Sequence, residues 1–387
     1  MKIVAAVRAL WPAVAVAGLF GLAGCSAPAW LTAREGAEKP AALVDFKPAA
    51  VVRVLWAGSV GSAGDSVFFP AVAGDGVYAA AADGQLARFD AASGKQLWRV
   101  ETGRKLSGGV GAGANLVLVG TVKGEVLAYD GSGKALWKAQ LSSEVLSVPQ
   151  VAEGLVVART GDGRIFGLDA ADGKRRWVYQ GSVPALSLRS HAGVVVSHAT
   201  VFAGFAGGKL VALKLSNGSV VWEAAVAQPR GTTELERIAD ITSVPVLDEK
   251  QVCAVAYQGR VACFELKNGN LIWARDLSSS AGLAMDQRNV FVTDDGGTVL
   301  ALDKGTGATL WKQDKLAGRR PTAPLLQGER LAVADLQGYV HILSREDGAF
   351  VARIATDGSA VRAQPLALNG GFLVQTVNGG LYALSIQ

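Results

Sequence analysis

The chain has 387 residues, of which 50% are hydrophobic and 18% charged, and it contains 48 glycines. This length supports a large buried core, and the composition excludes an intrinsically disordered protein. The formal net charge of +5 falls to +3 once Lys2 and Arg8 are removed with the leader, a balance that does not indicate a nucleic-acid partner.

The first 24 residues have the pattern of a secretory signal peptide. Lys2 and Arg8 give a positive start, and Ala9 to Leu22 form an uncharged apolar run of about 14 residues, shorter than the ~20 that cross a bilayer. The run ends in Leu22-Ala23-Gly24-Cys25, which resembles the bacterial lipobox, where a cysteine is lipidated and becomes the first mature residue. We therefore expect residues 1–24 to be cleaved and Cys25 to carry acyl chains that hold the protein at a membrane.

The segment that follows Cys25 is expected to be a tether. Ser26 stands where an aspartate would retain an enterobacterial-type lipoprotein at the inner membrane, so the resemblance favours the periplasmic face of the outer membrane. Residues 25–50 are rich in Ala, Pro, Glu and Lys and show no strand alternation, which predicts a lipidated, flexible linker.

From Val67 onward, short segments rich in Val, Ala and Leu alternate with glycine turns. Eight turns recur with a mean spacing of about 42 residues, which is typical of a propeller built from four-stranded blades. The segments are too short and too rich in glycine for helical repeats. The sequence therefore predicts an all-β, eight-bladed propeller with four antiparallel strands per blade over residues 51–387. The turns are Asp83-Gly84, Lys123-Gly124, Asp162-Gly163, Gly207-Gly208, Gln258-Gly259, Gly296-Gly297, Gln337-Gly338 and Gly379-Gly380.

A tryptophan follows six of these turns at a nearly fixed distance, which predicts that tryptophans fill the space between blades. They are Trp98, Trp137, Trp177, Trp222, Trp273 and Trp311. The seventh copy has Ala352 at this position, and in the eighth the position falls beyond the last residue. Trp56, before the first turn, is the matching tryptophan left over. We therefore expect the strand around Trp56 to pair with the last copy, Phe372 to Ile386, and close the ring.

Five acidic residues also recur in register with the turns: Asp90, Asp130, Asp169, Glu265 and Asp303. A catalytic or calcium-binding set is one interpretation. A residue that recurs in most blades is better explained by a need common to all blades, and a carboxylate beside a tight turn can accept hydrogen bonds from the turn amides. No nucleophile elbow and no histidine–cysteine spacing of a zinc site occurs in the chain.

Each copy resembles the tryptophan-containing repeat of the pyrroloquinoline-quinone dehydrogenase propellers, as in the stretch from Gly124 to Trp137. This resemblance raises the alternative of a periplasmic, pyrroloquinoline-quinone-dependent oxidoreductase. Those enzymes usually hold the quinone beneath a disulfide between adjacent cysteines, and no two cysteines are adjacent here. Fold similarity alone does not carry an activity. We therefore expect no catalytic residue, no cofactor and no metal site.

Cys253 and Cys263 flank the turn Tyr257-Gln258-Gly259. If Gly259 takes the left-handed position of a three-residue loop, the two cysteines face each other on neighbouring strands at a separation that a disulfide tolerates. An oxidising periplasm would then favour the bridge. The alternative is a pair of reduced, buried side chains, and a one-residue change of register would place them on opposite faces.

Two adjacent copies are longer than the rest, by about 5 and about 11 residues, and long irregular segments on a rigid scaffold often carry binding function. The insertions fall in Gln180 to His191 and in Ala225 to Thr242. The first contains Leu186-Ser187-Leu188-Arg189, and the second is rich in both charges. Ordinary loop packing is the alternative interpretation.

A lipobox, a short tether, eight quinoprotein-type repeats without cofactor residues and the Leu-Ser-Leu-Arg loop together resemble the BamB family, propeller lipoproteins of the outer-membrane β-barrel assembly machine. In that family these two loops bind the periplasmic POTRA domains of BamA, the barrel protein at the centre of the machine. The resemblance implies that Leu186, Leu188 and Arg189 bind the partner. It places the acidic position of the second loop at Asp240, to pair with BamA or to hold Arg189. Family members often carry a further aspartate where this chain has Thr242.

The resemblance therefore implies a non-catalytic scaffold of the outer-membrane β-barrel assembly complex that assists the folding and insertion of outer-membrane proteins. Sheet edges of the propeller could also receive unfolded outer-membrane protein substrates. Besides the oxidoreductase, an unrelated propeller that binds cell-envelope ligands remains as an alternative.

Overall fold

The structure, a computed structural model, describes residues 39–387, so the predicted signal peptide and Cys25 lie outside the described residues. Residues 39–387 form eight four-stranded antiparallel sheets in a ring. This confirms the predicted all-β, eight-bladed propeller. Within the same residues there is no helix with the length and apolar character needed to cross a membrane.

The strands follow one another around the ring in chain order, except that the first strand of the chain belongs to the last blade. That strand is β1 (Val52–Ser59). Blade 1 consists of β2 (Ala71–Ala73), β3 (Gly76–Ala80), β4 (Gln85–Asp90) and β5 (Gln96–Glu101). Blade 2 consists of β6 (Gly111–Gly113), β7 (Leu116–Gly120), β8 (Glu125–Asp130) and β9 (Ala135–Gln140). Blade 3 consists of β10 (Gln150–Ala152), β11 (Leu155–Arg159), β12 (Arg164–Asp169) and β13 (Arg175–Gln180). Blade 4 consists of β14 (Val194–Ser197), β15 (Thr200–Gly204), β16 (Lys209–Lys214) and β17 (Val220–Ala225).

The second half of the ring repeats this order. Blade 5 consists of β18 (Val246–Leu247), β19 (Gln251–Val255), β20 (Arg260–Glu265) and β21 (Leu271–Asp276). Blade 6 consists of β22 (Gly282–Met285), β23 (Asn289–Thr293), β24 (Val299–Asp303) and β25 (Thr309–Gln313). Blade 7 consists of β26 (Leu325–Gln327), β27 (Arg330–Ala334), β28 (Tyr339–Ser344) and β29 (Phe350–Ala355). Blade 8 consists of β30 (Leu366–Leu368), β31 (Gly371–Gln375), β32 (Gly380–Ile386) and β1.

The two middle strands of each blade are the most buried, because neighbouring blades cover both faces of each sheet. All five residues of β7 are buried, for example. Strands covered on both faces read as continuous apolar runs rather than as an alternation, which is why the Val-, Ala- and Leu-rich segments of the sequence form them. The outermost strands, such as β17, are exposed at most positions.

Seven tryptophans join neighbouring blades, as predicted. Each indole Nε1 donates a hydrogen bond of 2.7–3.1 Å to a backbone carbonyl of the next blade. Each ring also lies against the glycine of the outer turn there. At Gly348 an added Cβ would come within 2.5 Å of the Trp311 ring, so the turn has to be glycine for the two blades to meet. The donor–acceptor pairs are Trp56–Ala91, Trp98–Gly131, Trp137–Ala170, Trp177–Leu215, Trp222–Leu266, Trp273–Lys304 and Trp311–Arg345.

The ring closes between the two ends of the chain. Strand β1 pairs antiparallel with β32 from Val52 opposite Ile386 to Ser59 opposite Gly380, with a bulge between Val54 and Trp56. The prediction that the Trp56 strand completes the last blade is therefore confirmed.

The junction between blades 7 and 8 is built differently from the other seven. Ala352 occupies the tryptophan position, and residues 41–50 run along this edge instead. The Ala49 amide donates to the Val351 carbonyl at 2.9 Å. The Phe46 ring stacks on Phe350 with their centroids 5.5 Å apart.

A buried charged group holds the same segment, and we call Arg319, Asp335, His341 and Arg353 the blade 7 clamp. The Arg319 guanidinium donates to Asp335 at 2.7 Å and to the carbonyl of Ala41 at 2.8 Å. Arg353 donates to the carbonyl of Val44 at 2.9 Å, and His341 Nε2 lies 2.9 Å from Asp335 Oδ2. The expected flexible tether therefore stops short of residue 50, because residues 41–50 are fixed on the propeller.

The recurring aspartates accept hydrogen bonds from turn amides. Asp90 accepts from the Ser93 amide at 2.8 Å, and Asp303 accepts from the Thr306 amide at 2.8 Å. Hydrogen bonds from the hydroxyls of Ser93 and Thr306, together with those from the turn amides, lower the pKa of both carboxyl groups. Asp130 and Asp169 do the same in their blades. The fifth member, Glu265, instead accepts from the Asn270 side chain.

Cys253 lies directly opposite Cys263 in the register of β19 and β20. Their Cα atoms are 4.1 Å apart, and their sulfur atoms lie within bonding distance. The register agrees with the expectation, but the turn differs from it, because the residue with positive φ is Gln258, at 48°, and not Gly259. Ala256 and Arg260 still face each other across the loop, so its length and the register are unchanged.

Candidate functional site

Two long connections without strands lie on neighbouring blades, where the sequence placed its insertions. The first loop (residues 181–193) joins β13 to β14, and the second loop (residues 226–245) joins β17 to β18. The loops contact each other, since Ser190 Oγ donates to the carbonyl of Thr242 at 3.2 Å. Neither loop lies at the blade 7 edge, so this surface and the clamp are separate features of the ring.

The apolar residues of the first loop differ in exposure. Leu186 is 39% exposed, whereas Leu188 is partly buried. The loops also expose Val183 and Leu235. Exposed apolar side chains on an irregular, polar loop are candidates for contact with another protein.

Arg189 projects from the first loop. It is held by the carboxylate of Glu144, which lies in the segment between blades 2 and 3. Its Nε donates to Glu144 Oε1 at 3.0 Å and its Nη2 to Glu144 Oε2 at 2.8 Å. These hydrogen bonds raise the pKa of Arg189 further above its ordinary range. The Arg189 side chain is half exposed, so the pair fixes its direction while leaving part of it open to solvent.

Asp240 has a role that differs from both alternatives expected from the sequence. It is 2% exposed, which leaves no surface for a partner, and its side-chain hydrogen bonds do not include one to Arg189. Its Oδ2 accepts from the Leu188 amide at 2.6 Å and its Oδ1 accepts from the Gly207 amide at 2.9 Å. Asp240 therefore fixes the backbone of the first loop instead of binding the side chain of Arg189.

A cavity of about 330 Å³ lies beneath the first loop. Its walls include Arg159, Glu144, Val183, Leu188, Phe205 and Asp240. The Arg159 guanidinium lies 4.9 Å from the centroid of the Phe205 ring, and its Nη1 donates to the Ala192 carbonyl at 3.2 Å. Burial lowers the pKa of Arg159 to about 10, with Asp240 acting in the opposite direction, so the side chain stays charged at neutral pH.

His191 connects the first loop to the segment that enters blade 1. Its Nε2 accepts a hydrogen bond from the Val67 amide at 3.4 Å. Burial, assisted by the nearby charge of Arg189, lowers the pKa of His191 to about 4. The ring is therefore neutral at pH 7, as an acceptor must be.

Sequence reasoning missed Glu144, Arg159 and His191. Glu144 lies on the connection of ordinary length between blades 2 and 3, and Arg159 lies in a strand of blade 3, so a search for insertions passes over both residues. Within residues 39–387, no group of three or more His, Cys, Asp and Glu side chains is placed to hold a metal ion.

Comparisons with known proteins agree with one another. A family model described as outer membrane protein assembly factor BamB matches residues 49–105, 82–313 and 295–387. The chain is 48% identical over 348 residues to the outer membrane protein assembly factor BamB of Nitrosomonas eutropha, covering 90% of this chain and 85% of that protein.

Solved structures give the same fold. The crystal structure of BamB from Moraxella catarrhalis superposes with a TM-score of 0.81 at 28% identity, covering 87% of this chain and all of that one. The quinohemoprotein alcohol dehydrogenase of Comamonas testosteroni superposes with a TM-score of 0.71 at 14% identity, over 86% of this chain and 76% of that one. At such low identity the second likeness concerns the fold alone.

Proposed function

Because the chain belongs to the BamB family of outer membrane protein assembly factors, we propose that it is a non-catalytic scaffold of the outer-membrane β-barrel assembly complex. Its place is the periplasmic face of the outer membrane. The lipobox supports an anchor at Cys25, with residues 1–24 as the cleaved signal peptide, and the blades supply a rigid body.

The partner we propose is the row of periplasmic POTRA domains of BamA. The observation that carries this proposal is an exposed Leu186 on a loop whose backbone is already fixed by the buried Asp240. A loop held in one conformation before binding loses little conformational entropy when the partner arrives, which favours affinity. Leu186 and Leu188 would supply apolar anchors, and the open side of Arg189 a planar donor for a carboxylate or carbonyl.

Two observations favour a scaffold over an oxidoreductase. The two cysteines of the propeller stand ten positions apart in sequence, across a turn, and are not the adjacent pair that usually covers the quinone in the dehydrogenases. The recurring aspartates are engaged with turn amides at the surface.

The outer strands suggest how unfolded substrates would be received. Each is an edge strand, and several expose an apolar residue beside the inter-blade tryptophan, namely Leu97, Leu136, Val221, Ile272 and Leu310. An extended segment of an unfolded outer-membrane protein could add to such an edge through backbone hydrogen bonds.

The experiment is a binding titration between the purified mature chain and the purified periplasmic domains of BamA. We expect Leu186→Ala, Leu188→Ala and Arg189→Ala each to weaken binding by ~2 kcal/mol, which is about thirtyfold. The matched control is Leu97→Ala, since Leu97 is 45% exposed on the outer strand of blade 1, away from both loops. The control should bind as the unchanged chain does.

Thermal melting distinguishes a contact from a packing role. Leu186 and Arg189 lie at the surface, so their variants should melt at the unchanged temperature. Unchanged affinity in all three loop variants would exclude this site. Lost affinity together with unfolding would show that the residues serve loop packing instead.

A further inference from the structure

Arg159 stands at a position of the repeat where the other seven blades have no charge. It is the last residue of the five-residue second strand of blade 3. The equivalent residues in blade order are Ala80, Gly120, Gly204, Val255, Thr293, Ala334 and Gln375. Because seven blades form this strand with an uncharged residue at this position, the fold does not require a charge there. The guanidinium of Arg159 is therefore a candidate for a role in binding.

The charges that line the cavity are not equally satisfied. Glu144 and Arg189 form a two-bond pair with each other. Both oxygens of Asp240 accept backbone amides. Arg159, in contrast, makes one side-chain hydrogen bond within residues 39–387, from Nη1 to the carbonyl of Ala192. The Nε and Nη2 atoms of Arg159 are therefore charged donors that remain available to a ligand in the cavity.

The apolar residues that line the cavity suit the methylene groups of a side chain that enters it. Leu146, Val183, Phe205 and Ile241 line the cavity along with Arg159. Its volume of about 330 Å³ is at the lower end of the range for small binding pockets, which is room for a side chain and not for a domain. In a partly desolvated site, a hydrogen bond between a guanidinium and a carboxylate is stronger than one between neutral groups.

We propose that the cavity beneath the first loop is a carboxylate pocket, in which Arg159 binds an acidic side chain of the protein partner. This inference rests on the proposed function, because the partner is the one assigned to the two loops. It adds Arg159 as a residue that would determine specificity for the partner. Arg159 lies in β11, beneath the surface formed by the first loop. The carboxylate would accept from Nε and Nη2 of Arg159 while its methylene groups contact Phe205 and Ile241.

The first test uses salt to separate a charge contact from loop support. With the periplasmic domains of BamA as the probe, Arg159→Met should weaken binding about tenfold or more at 50 mM salt and less at 500 mM, since salt weakens the attraction between the guanidinium and the carboxylate in the unchanged chain. Arg88→Met is the matched control, because Arg88 also donates to a carbonyl of a neighbouring blade, at the junction of blades 1 and 2. An equal loss at both salt concentrations would mean that Arg159 supports the loop, and would overturn the proposal.

A second test does not depend on affinity. In Arg159→Lys the amine would lie beside the partner's carboxylate, so a zero-length carbodiimide should couple the two as an amide, and mass spectrometry should locate the crosslink. Arg88→Lys should give none. Absence of a crosslink from Arg159→Lys in a complex that still forms would overturn the pocket.

The two proposals can fail separately. If Leu186→Ala weakens binding and Arg159→Met does not, the pocket is wrong and the loop site stands. If neither Arg159→Met nor any of the three loop variants changes affinity, the two loops are not the binding surface, and both proposals fail together.

Discussion

Hydrogen bonds to backbone groups hold the first loop against the propeller. Asp240 binds two amides from different segments, Ser190 binds the carbonyl of Thr242, and His191 binds the amide of Val67. A buried acceptor that loses its donors costs about 1–3 kcal/mol, so these bonds oppose rearrangement of the loop. The exposed Leu186 is thereby carried on an ordered backbone.

The pair formed by Arg189 and Glu144 gives a first prediction. If Glu144 acts only by orienting Arg189, then Glu144→Ala should weaken BamA binding, and the double variant with Arg189→Ala should lose about as much as the worse single. Because the pair is substantially exposed, each change should alter the free energy of unfolding by less than about 1 kcal/mol. The measurement is a double-mutant cycle on the dissociation constant, and losses that simply add would show two independent contacts.

His191 gives a second prediction, on pH. Its pKa is about 4 in the folded chain against an ordinary 6.5, so between these values the unfolded chain binds more protons. Stability from this group is complete above pH 6.5 and is lost as pH falls towards 4. At pH 4.5 the loss should be on the order of 1 to 3 kcal/mol.

The variant His191→Gln isolates this effect, because every other titrating group is common to both proteins. The unchanged chain should lose more of its thermal midpoint than the variant between pH 7 and pH 4.5. Equal losses would show that His191 does not titrate as its surroundings indicate.

At the residue scale, the sequence located the two long loops better than it assigned roles to their residues. The insertions and the Leu-Ser-Leu-Arg motif predicted the first loop correctly, because both are local in sequence. Glu144 is 45 residues from Arg189, and nothing local connects them. The resemblance placed Asp240 in the second loop, to pair with BamA or to hold Arg189, whereas the folded chain buries its carboxylate against the amides of Leu188 and Gly207.

Among the elements, the tryptophan of one blade and the outer turn of the next form a unit. Seven junctions have both, and the eighth has neither. Blade 8 has no outer turn because its third and fourth strands, β32 and β1, come from opposite ends of the chain. A tryptophan in place of Ala352 would find no carbonyl of an outer turn in blade 8 to which its indole could donate. This explains why the seventh copy of the repeat lacks the tryptophan.

The facing cysteines of blade 5 give a third prediction, that Cys253 and Cys263 are oxidised in the exported protein. Alkylation of the denatured, unreduced protein should label neither, and reduction should expose two thiols. Replacing both by alanine should lower the free energy of unfolding by about 2–3 kcal/mol, as expected for a short loop. Two free thiols before reduction would refute the bridge.

Strand register was predicted more reliably than turn conformation. The opposition of Cys253 and Cys263 followed from the number of residues between them, which the structure keeps. The left-handed residue was misplaced by one position, because both Gln258 and Gly259 can adopt positive φ and only the surrounding contacts decide between them.

For the whole molecule, closure by β1 determines which truncations are tolerated. We predict that deleting Ala50 to Ser59 lowers the melting temperature strongly, because it removes the outer strand of blade 8 and exposes the edge of β32. Deleting Ala27 to Lys39 should leave it nearly unchanged. Deleting residues 40–49 should lower the melting temperature by an amount between those of the other two deletions, since it removes the contacts with Arg319, Arg353 and Phe350.

Melting curves of the three truncated chains, compared with the full mature chain, check this order. Equal melting temperatures for the first two would contradict the role of β1 in closing the ring. The number of blades and the mode of closure were predictable because a repeat displays its period in the sequence. The docking of residues 41–50 was not, because that segment matches no repeat.

The clamp at blade 7 also decides where a mechanical load enters the ring. When the chain is held by its amino end, tension along residues 25–40 arrives first at the carbonyls of Ala41 and Val44, which Arg319 and Arg353 hold. The hydrogen bonds between β1 and β32 lie behind that attachment in the path of the force. If the proposed anchor at Cys25 holds the chain, a pull on it would load the hydrogen bonds to Arg319 and Arg353 before those of the strand that closes the propeller.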